Sequence, residues 1–360
     1  MLLKLQYIKA IFPGVVLALV FCLFSQGINN VLAIEIFGTT KSPISTVLIA
    51  ILLGILMGNA FTPRQGMMIG LDFTQQYILK LGIIFLGIRL SFEELIKFGS
   101  IAIPLIICCI VGVLILVKLL IKKVPISSKM SYLIAIGTSV CGATALVATA
   151  PVINAKKSEV AYAIANITLF VVIAMIVFPY FAEWYFYNDS LKIGLFLGTS
   201  IHETSQVAAA GLIYDQQFNS PETLNVATVT KLIRNTFLVI LIPLFAFLYN
   251  RGELKGQNYS ILSIFPYFVI GFIGMIIVRN IGDQFFTPDN NAYDFWVNLI
   301  EYLKTLATVF LTMAMAAVGI SINLGELKSM GYKPFIVGLI AAITVGFISL
   351  IYIETLTILI

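Results

Sequence analysis

Lys231 and Arg234 stand three residues apart inside an apolar run, 223–248, that reads as a single membrane span. A cation at that depth costs several kcal/mol unless it is paired or faces water. Three residues along a helix put both cations on one face, and Asn235 extends the polar stripe. The span holds no acidic residue to neutralise them. An anion held between this pair and another polar element answers the charge problem. A structural ion pair with Glu203 is the plainer alternative. His202, the only histidine in the chain, directly precedes Glu203. A histidine titrates near neutral pH and suits proton coupling, although a hydrogen-bonded structural histidine fits equally well. One histidine without clustered thiolates gives no metal site, and "HETSQ" lacks the second histidine of a zinc protease. Neither a metal nor another cofactor is expected. An intramembrane enzyme using Cys141 or Ser200 with His202 would lack a third, orienting residue, so enzymatic chemistry is not expected.

These residues sit in or beside two stretches that make poor lipid-facing helix, "GTSVCGATALVATAP" (Gly137 to Pro151) and "GTSIHETSQVAAAG" (Gly198 to Gly211). Non-helical backbone is tolerated at membrane depth only where protein or a water-filled cavity satisfies its polar groups. Each stretch therefore reads as the tip of a re-entrant hairpin, or as the break of a discontinuous helix; the two leave the same sequence pattern. Half-helices that start after the tips aim backbone N–H groups at a shared site near the midplane. The substrate-binding candidates are Thr138, Ser139, Cys141, Gly142, Thr199, Ser200, Lys231 and Arg234. His202 and Glu203 are the candidates for coupling or gating. The competing reading is that the small residues only allow close helix packing. Asn166, Thr168, Thr228 and Thr230 either line the site or bond to their own helices.

The elements that must carry this site are membrane helices. Hydrophobic residues make up 60% of the 360 and charged residues 11%, and no polar stretch is long enough for a soluble domain. The 22 basic residues against 17 acidic report orientation in such a chain, and nucleic-acid binding has no support. All four cysteines lie in apolar runs, so disulfides are not expected. The N-terminus lacks a small-residue cleavage site and reads as a retained first helix. The expected fold is all-α and polytopic, one transmembrane transporter domain over 1–360. Its nine spans cover about 8–25, 44–59, 75–92, 101–121, 158–180, 223–248, 261–281, 296–322 and 334–356. The two Gly-Thr-Ser stretches bring the hydrophobic segments to eleven. Arg89, Glu93 and Glu94 read as a solvated interfacial turn.

Internal repeats order these spans. "LIAILLGILMGNAFTP" returns as "VIGFIGMIIVRNIGDQFFTP", pairing Asn59 with Asn280. "LGIRLSFEELIKFG" returns as "VGISINLGELKSMG", pairing Gly87 with Gly319. Parts 44–121 and 266–356 thus form one pair, and 130–180 with 190–248 another. With both Gly-Thr-Ser stretches re-entrant, both pairs become inverted repeats. The same arrangement puts Lys122, Lys123, Lys129, Lys156, Lys157, Arg251 and Lys255 on the cytoplasmic side and Glu183, Asp189, Asp215 and Glu222 outside. The N-terminus is then cytoplasmic and the C-terminus outside.

The two Gly-Thr-Ser stretches, the run on to "SEVAYAIANITLF" and the C-terminal "AMAAVGISINLGEL" together resemble the YeiH-like sulfate exporter family, within the wider group of cation–proton antiporter and anion transporter folds. The resemblance runs from about residue 44 to the C-terminus. It implies a carrier in the bacterial inner (cytoplasmic) membrane that exports sulfate or a small organosulfonate. The histidine–aspartate usual in that family appears here as His202–Glu203. The expected function is secondary active transport of a small anion, with a proton or sodium as coupling ion and the lipid bilayer as the other partner. A homodimer built on the three-helix units would be ordinary for such a carrier. The alternatives are a cation–proton antiporter using Glu203, with Lys231 or Arg234 as an internal stand-in for the cation, and, less suited to paired tips, a channel.

Overall fold

The structure, a computed structural model, describes residues 2–36, 42, 44–61, 65–120, 128–150, 153, 155–241, 267–289, 292–323, 325 and 332–359. The end of the span expected to 248, the start of that expected from 261, and Lys122, Lys123, Arg251 and Lys255 lie outside the described residues.

The chain is helical throughout these parts. In order come α1 (Leu2–Val31), α2 (Thr46–Ala60), α3 (Gln65–Phe73), α4 (Leu79–Leu86), α5 (Phe92–Leu120), α6 (Ser128–Ser139), α7 (Gly142–Thr149), α8 (Lys157–Phe186), α9 (Ser190–Ser200), α10 (Thr204–Phe218), α11 (Pro221–Thr236), α12 (Phe268–Phe285), α13 (Tyr293–Ser321) and α14 (Tyr332–Leu359). Among the described residues, eight helical stretches are long and apolar enough to cross a bilayer, and α2 adds a shorter apolar one. The third stretch runs from Gly66 to Arg89 rather than starting at 75. Its first half was hidden by Asp72, Gln75 and Gln76, and α3 passes into α4 through a π-helical turn, Thr74–Ile78. There the Thr74 hydroxyl donates back to the Gly70 carbonyl at 2.8 Å, a local bond that competes with the helix ladder.

Capping residues fix where the elements begin. Ser45 accepts from the Leu48 N–H at 3.1 Å, and Asp189 from that of Lys192 at 3.0 Å. Ser91 and Glu94 form a reciprocal pair at the start of α5, each accepting from the other's backbone N–H at 2.8 and 3.1 Å. Glu94 thus caps a helix, in line with the interfacial turn read from the sequence. Pro221 opens α11, where its missing N–H has no intrahelical partner to lose.

By internal contacts the chain falls into two compact units, one of Met1–Leu95, Gly211–Asn225 and Tyr267–Leu324, the other of Ile96–Ala210, Val226–Pro266 and Gly325–Ile360. In the first, α13 packs on α2 and α4, and α1 on α2 and α3. The crossings are close because glycines face backbone. A Cβ on Gly319 would lie 3.0 Å from Gly54 Cα, and one on Gly87 would strike the Phe272 carbonyl and lie 3.0 Å from Met275 Cβ. Asn59 donates to the Ile322 carbonyl at 2.8 Å, while Asn280 accepts from the Phe92 N–H at 3.3 Å. At one end of this unit Arg89 pairs with Asp215 at 2.9 Å. A polar pocket beside the pair is lined by Asn29, Asn30, Ser45, Asp215, Gln216 and Asn219. Residues 29–33 and 44–46, residue 89 and residues 215–219, which the expected order of spans puts on one side of the membrane, meet here.

In the second unit α6 packs on α7, α8 and α14, and α9 packs on α8 and α14. Val113, Ala135 and Val345 form a fully or nearly fully buried apolar cluster joining α5, α6 and α14. Both Gly-Thr-Ser stretches are broken helices. The first breaks at Val140–Cys141 and folds back: a Cβ on Gly137 would stand 3.3 Å from Leu146 Cγ. Nine residues along an unbroken helix would separate the two by about 13 Å. The second breaks at Ile201–Glu203, and α9 and α10 do not lie side by side.

Candidate functional site

The last carbonyls of a helix have no partner within it, and a broken helix at membrane depth has no water to supply one. α6 and α9 both end in this way, and α11 answers both. Its Lys231 Nζ donates to the carbonyls of Val140 (2.7 Å), Ile201 (3.0 Å) and His202 (2.6 Å). Arg234 donates through Nε to the Ser139 carbonyl (2.7 Å), through Nη2 to that of Thr138 (2.5 Å), and through Nη1 to that of Thr199. Lys231 and Arg234 are both fully buried. Two cations therefore sit on two helix C-termini, each carrying about half a negative charge.

The two breaks come together as the sequence pattern anticipates, but mainly through backbone. Thr138, Ser139 and Thr199 face the cations with their carbonyls. The Ser139 hydroxyl donates to Ala135 O at 2.6 Å. That of Thr199 bonds Leu195 O at 2.7 Å and meets Ser349 Oγ of α14 at 2.7 Å. Cys141 Sγ lies 3.5 Å from Thr204 Oγ1, which in turn accepts from Asn235 Nδ2 at 2.8 Å. Gly142 opens α7 at φ +30°, in the left-handed region where a side chain is strained. A Cβ there would also strike Glu203 Oε2, so the Glu203 carboxylate lies against the N-terminus of α7, where a helix favours negative charge.

Among the described residues, four buried polar atoms of these elements have no hydrogen-bond partner: Ser200 Oγ, His202 Nδ1, Thr230 Oγ1 and Asn235 Oδ1. Their residues are at most 3% exposed. Orphaned buried groups cost about 1–3 kcal/mol each. Ser200 and His202 are not joined as nucleophile and base, since both atoms lack partners. Among the described residues no three His, Cys, Asp or Glu side chains group to hold a metal. Thr204 and Ser349 are members the sequence did not single out. Ser349 had one signal, a serine in the apolar run "FISLIYI"; the carbonyls of Val140 and Ile201 had none, because any residue type supplies a carbonyl.

The family model described as "Conserved hypothetical protein 698" matches residues 13–338, which include both breaks and both buried cations. A UPF0324 membrane protein of Streptococcus agalactiae is 35% identical over 289 residues, covering 80% of this chain and 83% of its own. The chain belongs to the UPF0324 membrane protein family. Another member, from Fusobacterium nucleatum, is 33% identical over 322 residues, covering 88% of this chain and 91% of its own. One from Clostridium tetani is 28% identical and spans 97% of this chain and 99% of itself. No solved structure matches the chain. The relatives' description as membrane proteins agrees with the apolar helices, whose exposed faces imply contact with the lipid bilayer.

Proposed function

We propose that the chain is a secondary transporter that moves a small anion, an organosulfonate or sulfate, across the bacterial cytoplasmic membrane. The observation that carries this reading is the set of orphaned buried polar atoms beside a fixed cation pair. Ser200, His202 and Thr230 offer donors. Arg234 has five N–H groups, of which three are engaged. The charges leave room for an anion: two cations exceed two helix C-termini by about one unit. Glu203 offsets that unit, and the N-termini of α7 and α10 restore it. Asn235 Oδ1 is an acceptor, which bare sulfate cannot satisfy. A sulfonate bearing an amino or hydroxyl group offers both acceptors and a donor, as this mixed set of atoms asks, so we favour that class as substrate.

The resemblance to sulfate exporters supports the same reading, as do the exchanged contacts of the first unit. Gly319 against Gly54 and Asn59 against Ile322 recur as Gly87 against Met275 and Asn280 against Phe92. The repeats equate Gly54, Gly319 and Asn59 with Met275, Gly87 and Asn280. Phe92 lies two residues beyond Leu90, the equivalent of Ile322, so the partners are swapped as in a two-fold relation. In this reading the N-terminus is cytoplasmic and the C-terminus outside. A second reading, a cation–proton antiporter using Glu203, is favoured by the carbonyl-rich surroundings of Lys231.

A thermal-shift series on the purified protein tests both, using taurine, isethionate, sulfate, sodium and lithium. A ligand at a hundred times its Kd adds about 2.7 kcal/mol of stability. Taurine or isethionate is expected to stabilise wild type more than sulfate does, and Ser200→Ala and Thr230→Val to weaken the effect. A response to sodium, lithium and pH alone would replace the anion reading with the antiporter.

A further inference from the structure

Lys231 Nζ has three N–H donors and uses all of them, on carbonyls from two distant stretches of the chain: Val140 after α6, and the consecutive Ile201 and His202 after α9. Carbonyls at the ends of unwound half-helices, converging on one point at membrane depth, are the surroundings in which secondary transporters hold a coupling sodium ion or proton. Here that point is taken by a side chain. Arg234 serves carbonyls within the last turns of α6 and α9, those of Thr138, Ser139 and Thr199. The amine adds a second positive centre whose donors all end on carbonyls beyond the last helical turn.

We propose that these three carbonyls form a seat for a monovalent cation, that Lys231 Nζ is its tethered occupant, and that the native chain consequently needs no inorganic cation. Removing the amine opens the seat to an external one. The N···O distances of 2.6–3.0 Å are hydrogen-bond spacings, so ammonium and methylammonium, which keep N–H donors, are the best replacements. The inference rests on the transporter reading only for its consequence in flux. The seat itself is a property of the fold.

The test melts the full chain in detergent in choline, sodium, potassium, ammonium and methylammonium chloride at one ionic strength. Wild type, Lys231→Ala and Lys231→Met are compared. Wild type is expected to melt at one temperature in all five salts. Lys231→Ala should melt at least about 5 °C lower in choline and recover half or more of that loss in ammonium or methylammonium. Lys231→Met fills the same volume without a charge and should recover nothing. A sodium- or potassium-specific rise in the wild-type Tm overturns the proposal, and needs no variant to be seen. So does a Lys231→Ala protein that melts identically in ammonium and choline. Counterflow of taurine in choline-only vesicles is the functional arm, and a requirement for sodium or potassium there also overturns it. If no anion binds or moves while ammonium rescue succeeds, the seat stands and the anion reading falls.

Discussion

Arg234 reaches three carbonyls with three different nitrogens, so it holds the site together before it attracts anything. Arg234→Ala leaves three buried acceptors unpaired, at about 1–3 kcal/mol each. A chemical-denaturation curve is expected to show a loss of about 3 kcal/mol or more. Arg234→Lys should recover less than half, because a single ammonium cannot span the fork. Gly142→Ala faces both a strained φ and the Glu203 carboxylate, and should cost about 1–3 kcal/mol. Pairing it with Glu203→Asp, whose shorter side chain withdraws, should restore part of that loss in the same melt. The chemistry-bearing residues were legible in the sequence because their types are out of place in an apolar span. Their roles were less so: Lys231 and Arg234 read as charges waiting for an anion, whereas much of their hydrogen bonding is spent on backbone, which residue types do not reveal.

Helix existence was legible for the same reason that membrane helices fold at all, since long apolar runs have few alternatives in lipid. The sequence erred where a span carries polar residues, as from Gly66 to Asp72. The course of the two broken helices is constrained by the Arg89–Asp215 pair. These residues lie at one depth, and between them the chain runs through α5, the first break, α8 and the second break. An even number of crossings is required, so either both broken segments turn back or both cross. The contact of Gly137 with Leu146 favours turning back, although α9 and α10 do not lie side by side. Cysteines placed at Asn188 and Asn219, in a background without native cysteines, should then both react with a membrane-impermeant maleimide from the outer face. Labelling of the two from opposite faces would mean that both segments cross.

Over the whole molecule, the chain returns to each compact unit more than once, so neither unit is a continuous stretch of sequence. That interleaving was visible only as weak echoes such as Asn59 with Asn280, because a repeat preserves contacts better than residue types. The glycine crossings give a test at this scale. Gly54→Ala and Gly319→Ala push a methyl into facing backbone and should each cost about 1–3 kcal/mol. Gly274→Ala, in the same unit with nothing within 4 Å, should leave the Tm unchanged or slightly raised. Equal melting of all three proteins would remove the close crossings from the account.

The bond from Arg234 to Ser139 spans 95 residues. During synthesis, α6 leaves the ribosome long before its partner exists. At roughly 5–20 residues per second the delay is about 5–20 s. For that time the broken end of α6 has no cation to hold its carbonyls. A nascent chain arrested before residue 231 would therefore carry two unfinished helix ends. Such a chain should be held by the insertion machinery or removed by membrane proteases, and release of α11 is the step at which both helix ends gain their cations.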